Sequence, residues 1–189
     1  KMVDQSIKLA KAVGYYSAAD KIIRALRSLI HPVNRALFPR LSYLIKESPI
    51  EALNMVKLNI LISFIIGMLM AIFTFIFAPF IMEVVLGDNY SSATILLKSL
   101  TLLIPIVAVS SGLSIQWMIP LGKDWSFVKI IIVTGILNLL LCTILLPDYA
   151  HYGAAASLII SESFILLVVF IFLTVKKINP FLSRINLKV

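Results

Sequence analysis

Charge is scarce in this chain of 189 residues: 14% of positions are Asp, Glu, Lys or Arg, against about 25% in a soluble globular domain. With 60% hydrophobic residues and a mean hydropathy of +1.02, that scarcity excludes a soluble domain. Cysteine is nearly absent. One Cys and two His leave no intrachain disulfide and no Cys-rich zinc site, so neither a metal nor a cofactor is expected. Seven Gly and eight Pro are too few for a collagen-like or disordered chain. Acidic residues are scarcer than basic ones, 9 against 17, for a net charge of +8. The basic residues form no tract interleaved with aromatics, so nucleic acid is not an expected partner. What remains is an all-α polytopic membrane protein, with membrane lipids as its surroundings.

Charge-poor runs mark the crossings, because a helix needs about 20 mostly apolar residues to span the hydrocarbon. Residues 58–82, 99–122 and 130–147 are such runs, the third extending back to Trp125 if Lys129 snorkels. Residues 153–175 form the fourth, interrupted by Glu162. Ser48-Pro49-Ile50-Glu51 reads as a helix start, with a capping Ser, Pro in the first turn and Glu three residues on. Gly87-Asp88-Asn89 reads as a helix end. The helices are expected at about 17–47, 49–86, 91–119, 125–146 and 153–177. Lys and Arg flank alternate ends: Arg40, Lys46 and Lys57, then Lys123 and Lys129, then Lys176, Lys177, Arg184 and Lys188. The other connections carry Glu83, Asp88 and Asp148. This asymmetry places residues 40–57, 121–129 and the C-terminus in the cytoplasm. Trp117, Trp125, Tyr90, Tyr149 and Tyr152 read as an aromatic belt at the two interfaces.

The segment 17–47 is different. Asp20, Arg24, Arg27, His31, Asn34 and Arg35 fall within about 100° of one another at 100° per residue, forming one polar stripe. Ile22, Ile23, Leu26, Leu29, Ile30, Val33 and Leu37 fill the opposite face. Two settings fit such a helix. It lies flat on the cytoplasmic leaflet, with its cations among the headgroups, or it crosses as a fifth span with the stripe turned into the protein. In the second setting each Arg facing lipid would cost about 2.5–3.5 kcal/mol, so the stripe would have to line a hydrated cavity or meet acidic partners. Pro32 and Pro39 bend the helix in either setting.

The residues also resemble a known family. Val13 through Ile23, His31-Pro32 and Ala36-Leu37-Phe38-Pro39-Arg40-Leu41-Ser42 look like the middle of O-antigen flippases of the Wzx type. These are polysaccharide-transport proteins in the superfamily of MATE exporters and the lipid II flippase. Phe77-Ala78-Pro79-Phe80-Ile81, Leu86 through Tyr90, Ile119 through Lys123, and Leu146-Pro147 through Tyr152-Gly153-Ala154-Ala155-Ala156 look like its later motifs, in order. The resemblance covers nearly the whole chain and implies most of the C-terminal six-helix lobe of a twelve-helix transporter. A first lobe of the same protein is then the expected partner, and the start at Lys1 rather than Met fits a fragment. It further implies that residues 17–47 span, and that the cargo is an undecaprenyl-pyrophosphate-linked sugar repeat unit moved across the bacterial cytoplasmic membrane.

On this reading Arg24, Arg27 and Arg35 attract the pyrophosphate, and His31 and Asn34 add hydrogen bonds to phosphate or sugar. The alternative is an ion-paired packing face. Glu162, within the last run, reads as an ion-coupling residue or an Arg partner, with Asp20 in the same group; its alternative is a carboxyl kept neutral by burial. Gly153, Ser157 and Ser161, four apart, suit close helix approach. Thr134, Asn138 and Cys142 form a mildly polar stripe suited to a lumen or to interhelical hydrogen bonds, while Pro105 and Ser110-Ser111-Gly112 suit a bent span. An exporter of small cationic molecules, a membrane glycosyl-transfer enzyme and a pure scaffold are the competing functions. The cationic stripe disfavours the first and the solitary intramembrane acid the second.

Overall fold

The computed structural model describes residues 2–29, 31–87 and 91–182, and every regular element among them is helical. In chain order these are α1 (Met2–Ser28), α2 (His31–Glu47), α3 (Pro49–Leu86), α4 (Ser91–Leu100), α5 (Leu103–Ser111), which continues into a π-helical stretch (Gly112–Met118), and α6 (Asp124–Val175). Helices are what such a sequence must form in lipid, because only intrasegment hydrogen bonds satisfy the backbone without water.

Three described stretches are long and apolar enough to cross a membrane: α3, Ala93–Met118 and α6. In α3, Ala52, Val56, Ile60, Ser63, Gly67, Ala71, Thr74, Ala78 and Met82 are buried, a stripe at three- and four-residue spacing. Ile62, Phe73, Ile76 and Phe80 are exposed on the outer face. The small residues let α5 close in, with the Pro105 Cα only 3.3 Å from where a Cβ on Gly67 would stand.

α6 is two arms rather than one rod. Ala150 breaks it with φ 45° and ψ −122°, and the Asn138 amide donates to Ser161 Oγ at 3.0 Å across the fold. Each arm, 124–149 and 151–175, is about 38 Å long at 1.5 Å per residue, one crossing apiece. Buried Gly153, Ser157 and Ser161 line the seam, so the small-residue spacing does bring helices together. Asn138, with Cys142 Sγ 3.9 Å from its carbonyl oxygen, serves interhelical bonding rather than a lumen.

A Cβ at Gly153 would collide with the backbone carbonyl of Leu145, which cannot swing aside. Gly153→Ala is therefore expected to lower stability by about 1–3 kcal/mol. Gly135→Ala, in the first arm with nothing within 4 Å of the new atom, should be neutral or gain up to about 1 kcal/mol. Thermal unfolding in detergent checks this; equal midpoints for the two variants would contradict the tight turn.

Residues 17–47 are not one helix. α1 starts at Met2, a tight turn at Leu29 ends it, and α2 begins at His31. Pro32 explains the break: it has no N–H for the carbonyl of Ser28, and its ring collides there, whereas the first turn of a new helix accepts it. Leu29, expected on the apolar face, is 65% exposed for the same reason. The two helices together run the length of the bundle. Ala19 and Ile23 pack with Ala78, Met82, Ala93 and Leu97, while Leu41 and Ile45 pack with Ala52, Val56, Trp117 and Leu173. Ala52 and Ala78 are about 39 Å apart along α3. α1 and α2 thus pack along opposite ends of α3.

Other boundaries follow local chemistry. Ser48 makes no side-chain cap, contrary to its expected role: its N–H bonds Leu44 O and its carbonyl accepts from Ala52, so α2 passes almost directly into α3 and Pro49 sets the start. The expected helix 91–119 is divided at Thr101-Leu102. Pro105 lacks the N–H that would bond Thr101 O, and Ile104 takes that carbonyl in a tighter turn instead. Gly87 (φ 81°) closes α3 and Gly122 (φ 69°) turns the chain into α6; Asp88, Asn89 and Tyr90 lie outside the described residues. Trp117, expected in the interfacial belt, is wholly buried and donates from Nε1 to Ile178 O at 2.8 Å, anchoring the chain beyond α6. Trp125 and Tyr149 are exposed, as belt residues are.

Candidate functional site

The polar side chains of α1 meet the second arm of α6. Arg27 Nη2 lies 3.1 Å from Glu162 Oε1, both side chains about one-fifth exposed (21% and 19%). One turn earlier, Arg24 Nε is 2.7 Å from Asp20 Oδ2, and Arg24 remains 72% exposed. Asp20, Arg24, Arg27, Leu158 and Glu162 line a cavity of about 350 Å³, within the 300–1,000 Å³ usual for ligand sites. Ala19 and Ile23, flanking the stripe on α1, fix the helix rotation by packing into the core.

The electrostatics are specific. Two guanidinium groups and two carboxylates sum to zero, with Asp20, Arg27 and Glu162 largely covered and Arg24 exposed. Leaving Arg27 or Glu162 without the other would cost about 3–5 kcal/mol. Yet the guanidinium groups are not used up. Arg24 is held through Nε, so both its Nη groups remain open; Arg27 is held through Nη2. Arginine carries five N–H donors in a planar fork that matches phosphate oxygens. Asp20 and Glu162 thus aim two forks into the cavity while leaving donors for an anion.

The stripe expected from the sequence is only partly assembled. Asp20, Arg24, Arg27 and Glu162 come together; Arg35 is exposed on α2, beyond the break and outside the cavity lining. The side chains of His31 and Asn34 lie outside the described residues. Glu162, read from sequence as either a coupling group or an Arg partner, is paired with Arg27.

A family model described as "Polysaccharide biosynthesis protein" matches residues 7–95, which include Asp20, Arg24 and Arg27. A curated protein of Escherichia coli strain K12, named "Putative O-antigen transporter", is 28% identical over 80% of this chain and 36% of its own length. One of the same name from Shigella dysenteriae is 32% identical over 87% of this chain and 40% of its own. The chain is similar to polysaccharide biosynthesis proteins over these stretches. It is a multi-pass membrane protein that spans less than half the length of these relatives. No solved structure matches it at a significant level.

Two features of this chain escaped the sequence reading. Lys98 lies within the Ala93–Met118 stretch, half-buried, its ammonium 5.1 Å from the centre of the Phe75 ring. An apolar run counted from residue 99 leaves it out, and with it a cation at the end read as free of Lys and Arg. His151, at the turn of α6, has both ring nitrogens buried without a hydrogen-bond partner and packs against Tyr15 and Tyr152. Its place beside α1 depends on the turn at Ala150, which falls between the helices expected at 125–146 and 153–177.

Proposed function

We propose that this chain forms most of the C-terminal lobe of a two-lobed flippase. Its cargo is an undecaprenyl-pyrophosphate-linked O-antigen or related polysaccharide repeat unit, carried across the bacterial cytoplasmic membrane by alternating access. A first lobe of the same protein faces the α1–α6 cavity, and the Lys- and Arg-rich end of the bundle, with the C-terminus, is cytoplasmic. The observation that carries this reading is the 350 Å³ cavity with two carboxylate-held guanidinium groups between α1 and the membrane-length helix α6. A pyrophosphate needs cationic donors there, and Arg24 and Arg27 have donors to spare. Arg35 supplies a further positive charge on α2, and His31 and Asn34, between it and Arg27 in sequence, supply hydrogen bonds to phosphate or sugar.

In this mechanism the pyrophosphate displaces Asp20 and Glu162 from part of their arginines as it enters, and the carboxylates take the arginines back as it leaves. Exchange between anions of similar strength keeps the site filled without trapping the cargo. The chain acts as a carrier, not an enzyme: both carboxylates are engaged with arginine rather than placed for acid–base work on a glycosidic bond. An exporter of cations is disfavoured by the open guanidinium of Arg24. The test is reconstitution of the complete two-lobed protein in vesicles with a labelled undecaprenyl-pyrophosphate repeat unit. Translocation well above protein-free vesicles, with no uptake of a cationic dye, is expected; dye movement without glycolipid movement would overturn the proposal.

A further inference from the structure

The charged cavity is one segment of a longer groove. On α1, Val13, Tyr16, Asp20, Arg24 and Arg27 follow one another at steps of three, four, four and three; on the second arm of α6, His151, Ala154, Leu158 and Glu162 do so at three, four and four. The Tyr15 and His151 rings are 6.2 Å apart at one end, and Arg27 meets Glu162 at the other. Twelve residues on α1 thus match eleven on α6, so the two helices run side by side, in the same direction, for about 17 Å. Toward the α6 turn the groove widens into a second cavity of about 580 Å³ lined by Val13, Tyr16, Leu146, Pro147, His151 and Ala154. That lining is apolar almost throughout, and the His151 nitrogens are not accessible from it.

We infer that this second cavity holds the first isoprenyl units of the same lipid whose pyrophosphate sits at Arg24 and Arg27, an inference that rests on the flippase reading. The groove is amphiphilic in the order a prenyl pyrophosphate is: charged along one stretch, with open guanidinium donors, and apolar along the next, whose lining holds no Asp, Glu, Lys or Arg. The hollow lies at the turn end, level with Asp148 and Tyr149, both exposed. An apolar guest that fills the hollow removes its lining from water. A glycan would find few hydrogen-bonding groups in it. Threading the chain through this hollow fixes the direction in which the headgroup must leave the arginines.

Binding of two probes to the complete protein in nanodiscs tests the assignment: the same pyrophosphate-linked repeat unit on an undecaprenyl chain and on a single dimethylallyl unit. The long-chain probe is expected to bind about tenfold tighter or better. Ala154→Trp, which fills the hollow from its wall, and Val13→Trp, which fills it from its 61% exposed rim, should each remove that advantage and leave the short probe unchanged. Arg24→Gln, at the exposed fork, should weaken both probes alike. An unaltered chain-length preference in both Trp variants, or equal affinity of the two probes for the natural sequence, overturns the lipid-chain site. If Arg24→Gln weakens neither probe, the pyrophosphate reading itself fails, a different outcome from the first.

Discussion

Replacing Arg24, Arg27 and Arg35 together by alanine is expected to reduce translocation by about a hundredfold or more. A hydrogen bond to a charged group contributes about 1.5–3 kcal/mol, so two lost arginine–phosphate contacts remove about 3–6 kcal/mol, or roughly 10² to 10⁴ in affinity. Arg24 accounts for a large part of this, since its 72% exposure leaves it the more available fork. The triple lysine variant keeps the charges and loses the forks, so it should recover part of the activity and fall well short of the natural sequence. Initial rates in vesicles, normalised to inserted protein, make the measurement. Natural rates in the alanine variant would mean that the stripe is a packing face.

The second large effect concerns the pair joining residues 27 and 162. Glu162→Arg sets two guanidinium groups against each other between α1 and α6, and Arg27→Glu does the same with two carboxylates. Either change breaks a largely buried pair and is expected to cost about 3–5 kcal/mol, a large share of the roughly 5–15 kcal/mol typical of a folded domain. The double exchange restores opposite charges and should recover most of the loss, as seen in yield and thermal unfolding. It should not restore transport, because the carboxylate then sits on α1 where a phosphate-binding fork is needed. Recovery of both would show that the pair is only structural; recovery of neither would deny the contact.

What could be read from the sequence divides along physical lines. Four runs and their helical state were legible because the hydrocarbon forces apolar composition and internal hydrogen bonding at once. Arg24, Arg27 and Glu162 stood out because charge inside or beside such runs is costly. Their meeting was not legible: 135 residues separate Arg27 from Glu162, and periodicity fixes which residues share a helix face, not which helix lies opposite. The phase argument also carried Arg35 into the stripe through a helix assumed continuous. Pro32 was visible as a bend, but its consequence, a new helix with its own rotation, depends on how α2 packs against α3 and the π-helical stretch. Trp117 shows the same limit. Its position near a run's end suited an interface, and only the return of the chain at Ile178 gives its N–H a buried acceptor.

The central claim is that the arginine row faces water enclosed by protein, and thiol accessibility tests it most directly. In the complete protein with Cys142→Ser as background, Arg24→Cys should react with a membrane-impermeant thiol reagent and be slowed by pyrophosphate-linked cargo. Phe73→Cys, on the exposed apolar face of α3, should stay unreactive. An inert Arg24→Cys whose spin label is relaxed by lipid-soluble oxygen as strongly as one at Phe73→Cys would place the row against acyl chains and contradict the account.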